Sequence, residues 1–272
     1  MTEPAIPPVP TASSGSPFDL TGRRALVTGS TRGIGASIAA AFVRAGASVV
    51  IHGRDADRAA AAAARLRGTI PEGELRTVHG VAFDVTDHAA MVASVRDLED
   101  RLGGIDILVN NAGIQHRADL LEFPLDAWQA VLSANLTSCF VLAQHVARGM
   151  VARGHGKIIN ICSVQNKLVR ASTAAYAAAK AGLGTLGQVM CADWAAHGIQ
   201  ANGLAPGYIN TDLNAALLED PELSAWVVNR TPARRWGTPA DLAGPAVWLA
   251  SSASDFVNGQ LIFVDGGMTA VI

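Results

Sequence analysis

Residues 24–35 read RALVTGSTRGIG. An apolar run of strand character is followed by a turn holding Gly29, Gly33 and Gly35. The continuation GIGASIAAAFVRAG (33–46) places its apolar residues at helical spacing. Strand, glycine turn and helix in that order form the first half of a β-α-β unit. Glycine lets the backbone turn tightly and approach a ligand closely. The helix start adds free N–H groups and the positive end of the dipole. The stretch therefore predicts a cradle for a pyrophosphate at Gly29, Ser30, Arg32, Gly33, Ile34 and Gly35. Its spacing is Gly-x3-Gly-x-Gly, and a plain strand-to-helix turn is the simpler alternative.

Working outward, the same alternation fills the chain. Further strands are expected at 48–53, within 78–85, at 105–113 with a closing glycine turn, at 157–163, at 199–207 with its exit loop, and at 260–267. Helices are expected at 55–67, 88–103, 125–153, 173–197, 212–229 and 239–250. Val/Ile-rich strands separated by helices predict α/β architecture: a single doubly wound Rossmann-type domain over 18–272 with a central parallel sheet of about seven strands. No second domain boundary is visible, and residues 208–237 read as a lid over a site. Residues 1–17 carry five prolines among small residues, without a basic or apolar leader, and are expected to be a disordered tail rather than a signal peptide.

Composition narrows the partners. Half of the 272 residues are hydrophobic, and only 16% are charged against a typical quarter, so apolar surface between subunits is expected. A net charge of −2 points to neither nucleic acid nor an anionic membrane. No apolar run is expected to span a bilayer. Cys139, Cys162 and Cys191 are too far apart for a metal site or a disulfide framework, which suits the cytoplasm. No metal is expected. Cys162 reads as a buried thiol at a strand end, with a reactive thiol as the alternative.

A second constellation lies in AAYAAAKAG (174–182). Tyr176 and Lys180 are four residues apart, on one face of a helix. Ser163 follows the apolar run KIINIC (157–162). A free phenol titrates near 10, a neighbouring cation favours its anion, and a proton carrier works best near the operating pH. The three residues predict proton transfer to or from a hydroxyl. The end of the second strand, Ile51-His52-Gly53-Arg54, lacks the acid that would bind a ribose 2′-hydroxyl. Arg54 and Arg32 instead suit a 2′-phosphate, so NADP is favoured over NAD. Asp55 is the counterweight, and Arg54 has an alternative as a surface partner of Asp57.

Taken in order, Thr28-Gly29-x3-Gly33-x-Gly35, Asn110-Asn111-Ala112-Gly113, Asn135, Ser163, Tyr176-x3-Lys180 and Pro206-Gly207 resemble the short-chain dehydrogenase/reductase family from about Phe18 to the C-terminus. The resemblance implies that Tyr176 is the general acid/base and that Lys180 assists it and holds the nicotinamide ribose. Ser163 would bind the substrate oxygen, and Asn135 would hold a water linking Lys180 to solvent. Asn111, Ala112 and Gly113 would flank the adenosine ribose, Asp84 and Val85 the adenine, and Pro206, Gly207, Ile209 and Thr211 the nicotinamide and phosphates. Asn135 could instead be a buried structural residue, and Asp84 a turn or capping residue.

On the substrate side, Gln115, His116, Arg117, Ser163, Gln165, Asn166 and Tyr208 form a polar set. Arg117 suits a carboxylate, or else lies on a surface loop. The segments GIQHR (113–117), INICSVQ (159–165) and IQANGLAPGYINTDL (199–213) resemble the gluconate 5-dehydrogenase branch of the family. That resemblance implies a sugar-acid substrate, D-gluconate or 5-keto-D-gluconate, with substrate contacts from Arg117, Ser163, Gln165 and Tyr176. The family resemblance also implies a homotetramer. A 3-oxoacyl-thioester reductase, another polyol dehydrogenase and a non-catalytic NADP-binding regulator are the alternatives.

Overall fold

The computed structural model describes residues 15–272. Its strands are β1 (Arg24–Val27), β2 (Ser48–Gly53), β3 (Val78–Ala82), β4 (Ile107–Asn110), β5 (Gly156–Ile161), β6 (Ile199–Pro206) and β7 (Leu261–Val264). They form one parallel sheet in the order β3-β2-β1-β4-β5-β6-β7. The helices are α1 (Gly33–Arg44), α2 (Ala56–Arg67), α3 (His88–Leu102), α4 (Leu125–Leu132), α5 (Ser138–Arg153), α6 (Ala174–Trp194), α7 (Ala215–Glu219), α8 (Pro221–Arg230) and α9 (Ala243–Ala250).

The strands are apolar at consecutive positions because both faces of the sheet are covered. Val27, Ile51, Val109 and Ile159 pack with Ile38 and Phe42 of α1 and Leu249 of α9. Their neighbours Leu26, Val50, Leu108 and Ile158 pack on the other face with Met91 and Val95 of α3 and Leu142 and Val146 of α5. Full burial of each large side chain contributes about 1.5–3 kcal/mol.

The chain winds outward from β1 through β2 to β3, then returns to β4 on the other side of β1. The loops leaving β1 and β4 therefore diverge at the carboxyl edge of the sheet, which is where α/β sheets bind ligands.

The expected elements are present, and several are shorter or broken. β3 stops at Ala82 and β4 at Asn110. The helix expected over 125–153 holds a π-helical turn at Ser133–Thr137. The helix expected over 212–229 breaks at Asp220, whose carboxylate accepts the Glu222 and Leu223 N–H groups ahead of α8. Leu125–Arg153 is long and apolar enough to cross a bilayer by length and composition alone; half of its most apolar window is buried in the fold. It is apolar because α5 packs against both the sheet and α3. Of the expected tail, residues 1–14 lie outside the described residues. The Pro17 carbonyl accepts the Ala253 N–H and the Ser252 hydroxyl at 3.2 Å each.

Candidate active site

The crevice between β1 and β4 is clasped before it is lined. The buried Thr28 hydroxyl donates to the Val109 carbonyl and accepts the N–H groups of Asn111 (2.9 Å) and Ala112 (3.0 Å). Asn111 returns its amide to the carbonyls of Thr28 and Gly29. Its side chain thus fixes the glycine turn. Gly35 has to be glycine: a Cβ there would lie 2.5 Å from the Gly29 carbonyl oxygen and 2.6 Å from Asn111 Nδ2.

His52 completes the frame. Its Nδ1 accepts the Gly29 N–H at 3.0 Å, so Nε2 carries the proton and donates to the Phe83 carbonyl at 3.0 Å. Burial pushes its pKa down to about 4, against weaker raising effects from the Phe83 carbonyl and Asp84. The Ser30 hydroxyl donates to the Val27 carbonyl and accepts the His52 N–H, so it is spent on the frame.

A groove of about 480 Å³ runs over this frame. It brings together Arg32, Gly33, Ile34, Arg54, Asn111, Gly113, Asn135, Ser163, Tyr176, Lys180, Pro206, Gly207, Ile209 and Thr211, which are spread over 180 residues of sequence. Gly29, Ser30, Gly35 and Ala112 lie outside its lining. So do Asp84 and Val85. Asp84 Oδ1 accepts the Thr86 N–H (2.8 Å) and hydroxyl (2.7 Å), closing a turn, and Val85 is buried. Asp55 caps α2 by accepting the Arg58 N–H. Arg54 is exposed and forms no ion pair with Asp57 among the described residues. Arg32 pairs with Asp212 at 2.6 Å across the groove mouth.

At the other end, α6 presents Tyr176 and Lys180 on one face, with Lys180 Nζ 5.7 Å from the phenol ring centre. Lys180 is buried, and Nζ donates to the Ile161 carbonyl at 2.6 Å. Ser163 caps the turn Val164–Asn166: its Oγ accepts the Gln165 N–H, leaving the hydroxyl proton free to donate. Asn166 is structural, accepting the Ser163 N–H and donating to the Lys180 carbonyl at 2.7 Å. Asn135 lies on the π-helical turn. Its Nδ2 donates to the carbonyls of Ile114 and Val131, and its buried Oδ1 has no partner. A Cβ on Gly113 would collide with that oxygen. Cys162 is buried, its thiol pushed up to about 12 by desolvation, which is the inert form.

A smaller cavity adjoins the groove and shares Gln115, Ser163 and Tyr176 with it. Arg117, Gln165, Arg170, Thr173 and Tyr208 also line it. Gln165 Oε1 accepts the Thr173 hydroxyl proton. His116 is absent from the lining and packs edge-on to Phe123. An apolar cavity of about 370 Å³, lined by Leu168, Val169, Leu223, Trp226 and Met268 beside Arg170, lies next to this polar set and was not expected from the sequence. The segment 208–237 is pinned at its base, where Gly237 N–H donates to the Tyr208 carbonyl and Asn210 N–H to the Gly237 carbonyl. The Tyr208 ring stands edge-on between Trp226 and Trp236.

Sequence reasoning missed Thr28, His52 and Arg170 as site residues. The first two act through partners far away in sequence, and only the position of Thr28 beside the glycine turn hinted at a role. Arg170 lies in a loop without a motif.

A parallel sheet with a glycine cradle at its switch point and a Ser–Tyr–Lys cluster beside it defines the class of Rossmann-type oxidoreductases. Comparison with known proteins narrows that class. The family model described as Enoyl-(Acyl carrier protein) reductase matches residues 29–269. The gluconate 5-dehydrogenase of Gluconobacter oxydans is 47% identical over 252 residues, 93% of this chain and 96% of that protein. The 5-keto-D-gluconate 5-reductase of Escherichia coli K12 is 46% identical over 94% of this chain and 98% of its own length. Among solved structures, a gluconate 5-dehydrogenase from Burkholderia cenocepacia in complex with NADP and tartrate is 54% identical. It covers 94% of this chain and 98% of that one with a TM-score of 0.89. The chain belongs to the short-chain dehydrogenase/reductase family.

Proposed function

We propose that the protein is an NADP-dependent oxidoreductase that interconverts D-gluconate and 5-keto-D-gluconate. The observation that carries this reading is the convergence of Ser163, Tyr176 and Lys180 at one end of a groove whose other end holds Arg54 and Arg32. The similarity to gluconate 5-dehydrogenases over nearly the whole chain supports the substrate.

The groove fits the dinucleotide. Gly35 lets α1 pack closely on the glycine turn, and α1 points its N-terminus at the groove. Arg54 has its guanidinium available for a 2′-phosphate. The Arg32–Asp212 pair is exposed and worth at most about 1 kcal/mol, so a phosphate dianion can displace Asp212. Bound NADP(H) supplies the hydride acceptor or donor.

The residues of the chain do the remainder. The Ser163 hydroxyl donates to the substrate oxygen and fixes it beside the phenol. Tyr176 as the tyrosinate takes the hydroxyl proton in oxidation, and as the phenol it returns that proton in reduction. Lys180 spends one N–H on Ile161 and keeps two for the nicotinamide ribose and for stabilising a tyrosinate. The free Oδ1 of Asn135 suits a water that passes the proton from Lys180 to solvent. Arg117 holds the substrate carboxylate and Gln165 a hydroxyl.

A substrate panel read by nicotinamide absorbance tests this. It sets gluconate and 5-keto-D-gluconate against neutral polyols and 3-oxoacyl thioesters, with both cofactors. Preference for the sugar acid with NADP(H) is expected. The apolar cavity beside Arg170 favours a 3-oxoacyl thioester as the second reading, and faster thioester reduction would replace the first. A homotetramer in the cytoplasm completes the proposal. Exposed Phe140 and Val151 on α5 and Val189 on α6 support subunit contacts, and three free cysteines suit a reducing compartment.

A further inference from the structure

Two cations meet in the substrate cavity, and only Arg117 was expected there. Arg117 arrives on the loop after β4. Arg170 arrives on the loop between the Ser163 turn and α6. Neither forms an ion pair with an acid among the described residues. Arg170 Nη1 is buried and has no hydrogen-bond partner.

Such a group is costly to leave alone. A buried donor without a partner loses its hydration and gains nothing in return, and the loss is greater when it is charged. A second guanidinium nearby adds repulsion: burial first, and then the charge of Arg170, hold the Arg117 pKa below its usual value. An anion between the two would satisfy the orphaned N–H and remove the repulsion in one step.

The cavity is also built to hold them in place. The loop bearing Arg170 is stitched to the loop bearing Arg117 by the Ala118 N–H donating to the Ser172 carbonyl at 3.2 Å. The Thr173 hydroxyl is 2.8 Å from the Arg170 carbonyl and 2.9 Å from Gln165 Oε1. Ser172 holds a left-handed backbone, φ 65°, which a non-glycine residue keeps only when its surroundings enforce it. The backbone beneath Arg170 is thus fixed before substrate arrives.

We infer that Arg170 closes on the substrate carboxylate opposite Arg117 and that this two-guanidinium clamp makes the site select an acid over a neutral polyol. The inference rests on the sugar-acid reading for the identity of the substrate. The presence of an anion site rests on the two arginines alone. A guanidinium fork reads the two carboxylate oxygens together, and a polyol offers neither the charge nor the geometry.

Binding to the NADP-loaded enzyme separates the two ideas. By calorimetry, Arg170→Gln is expected to weaken D-gluconate about a hundredfold, with NADP affinity and melting temperature retained. Arg170→Lys keeps the charge without the fork and is expected to recover part of the loss. In turnover, the ratio of kcat/KM for 5-keto-D-gluconate to that for a neutral ketose is expected to fall by a similar factor, mainly through KM. Unchanged gluconate binding in Arg170→Gln, an equal loss for acid and neutral ligands, or failure of the wild-type enzyme to bind gluconate overturns the clamp. Wild-type enzyme that binds gluconate through Arg170 and turns over no sugar acid would uphold the clamp and refute the proposed reaction.

Discussion

Acidification tests the role of His52 in the cofactor cradle. In the native protein Nδ1 is an acceptor for the Gly29 N–H, so protonation would set two donors against each other inside a buried site. The imidazole pKa falls from 6.5 to about 4 on folding, with burial as the leading cause. At about 1.4 kcal/mol for each pH unit, that drop corresponds to about 3 kcal/mol. The sign follows from proton uptake: between pH 6.5 and 4 the unfolded chain binds this proton and the native one does not. Stability from this residue is therefore complete above pH 6.5 and is lost as pH falls toward 4. Urea unfolding from pH 7 down to 4.5, on wild-type enzyme and His52→Asn, reads the effect. Asn keeps an acceptor near the Gly29 N–H and cannot titrate, so wild type is expected to lose about 2–3 kcal/mol more than the variant. Other histidines, His79, His145 and His155, also have lowered pKa values, and they cancel in the comparison. Parallel pH profiles for the two proteins would refute the assignment of the strain to His52.

Tyr176→Phe is expected to lower kcat by about a thousandfold with NADPH affinity nearly unchanged, measured by stopped-flow turnover and by quenching on NADPH titration. Arg54→Ala is expected to weaken NADPH about tenfold or more and NADH little, because a charge-assisted contact to the 2′-phosphate is removed; equal losses would count against the phosphate reading. Cys162, buried with its thiol pushed up to about 12, is expected to resist iodoacetamide at pH 8 in the native enzyme and to react after denaturation, read by mass spectrometry of the peptide.

The sheet was legible in the sequence because burial on both faces writes each strand as an unbroken apolar run. The glycine turn and the Tyr176–Lys180 pair were legible because their geometry is local. What stayed hidden depends on distant partners. Nothing near His52 tells that its ring faces Gly29, 23 residues earlier. Asp55 has the right chemistry for a ribose and spends one oxygen on capping its own helix, as acids at helix starts commonly do. The π-helical turn around Asn135 lies inside a continuous helical pattern, and only tertiary packing displaces that residue toward Gly113. Arg170 had no signal at all: a loop arginine reads as surface until two loops are seen stitched together.

The isolated bridge between Ile209 and Gly237 has an evolutionary consequence. Because both ends of the intervening segment are tied there, its tip can lengthen, shorten or change sequence while the dinucleotide half keeps its shape. Selection can therefore exchange that cassette like a cartridge, and one redox scaffold can be refitted without being refolded.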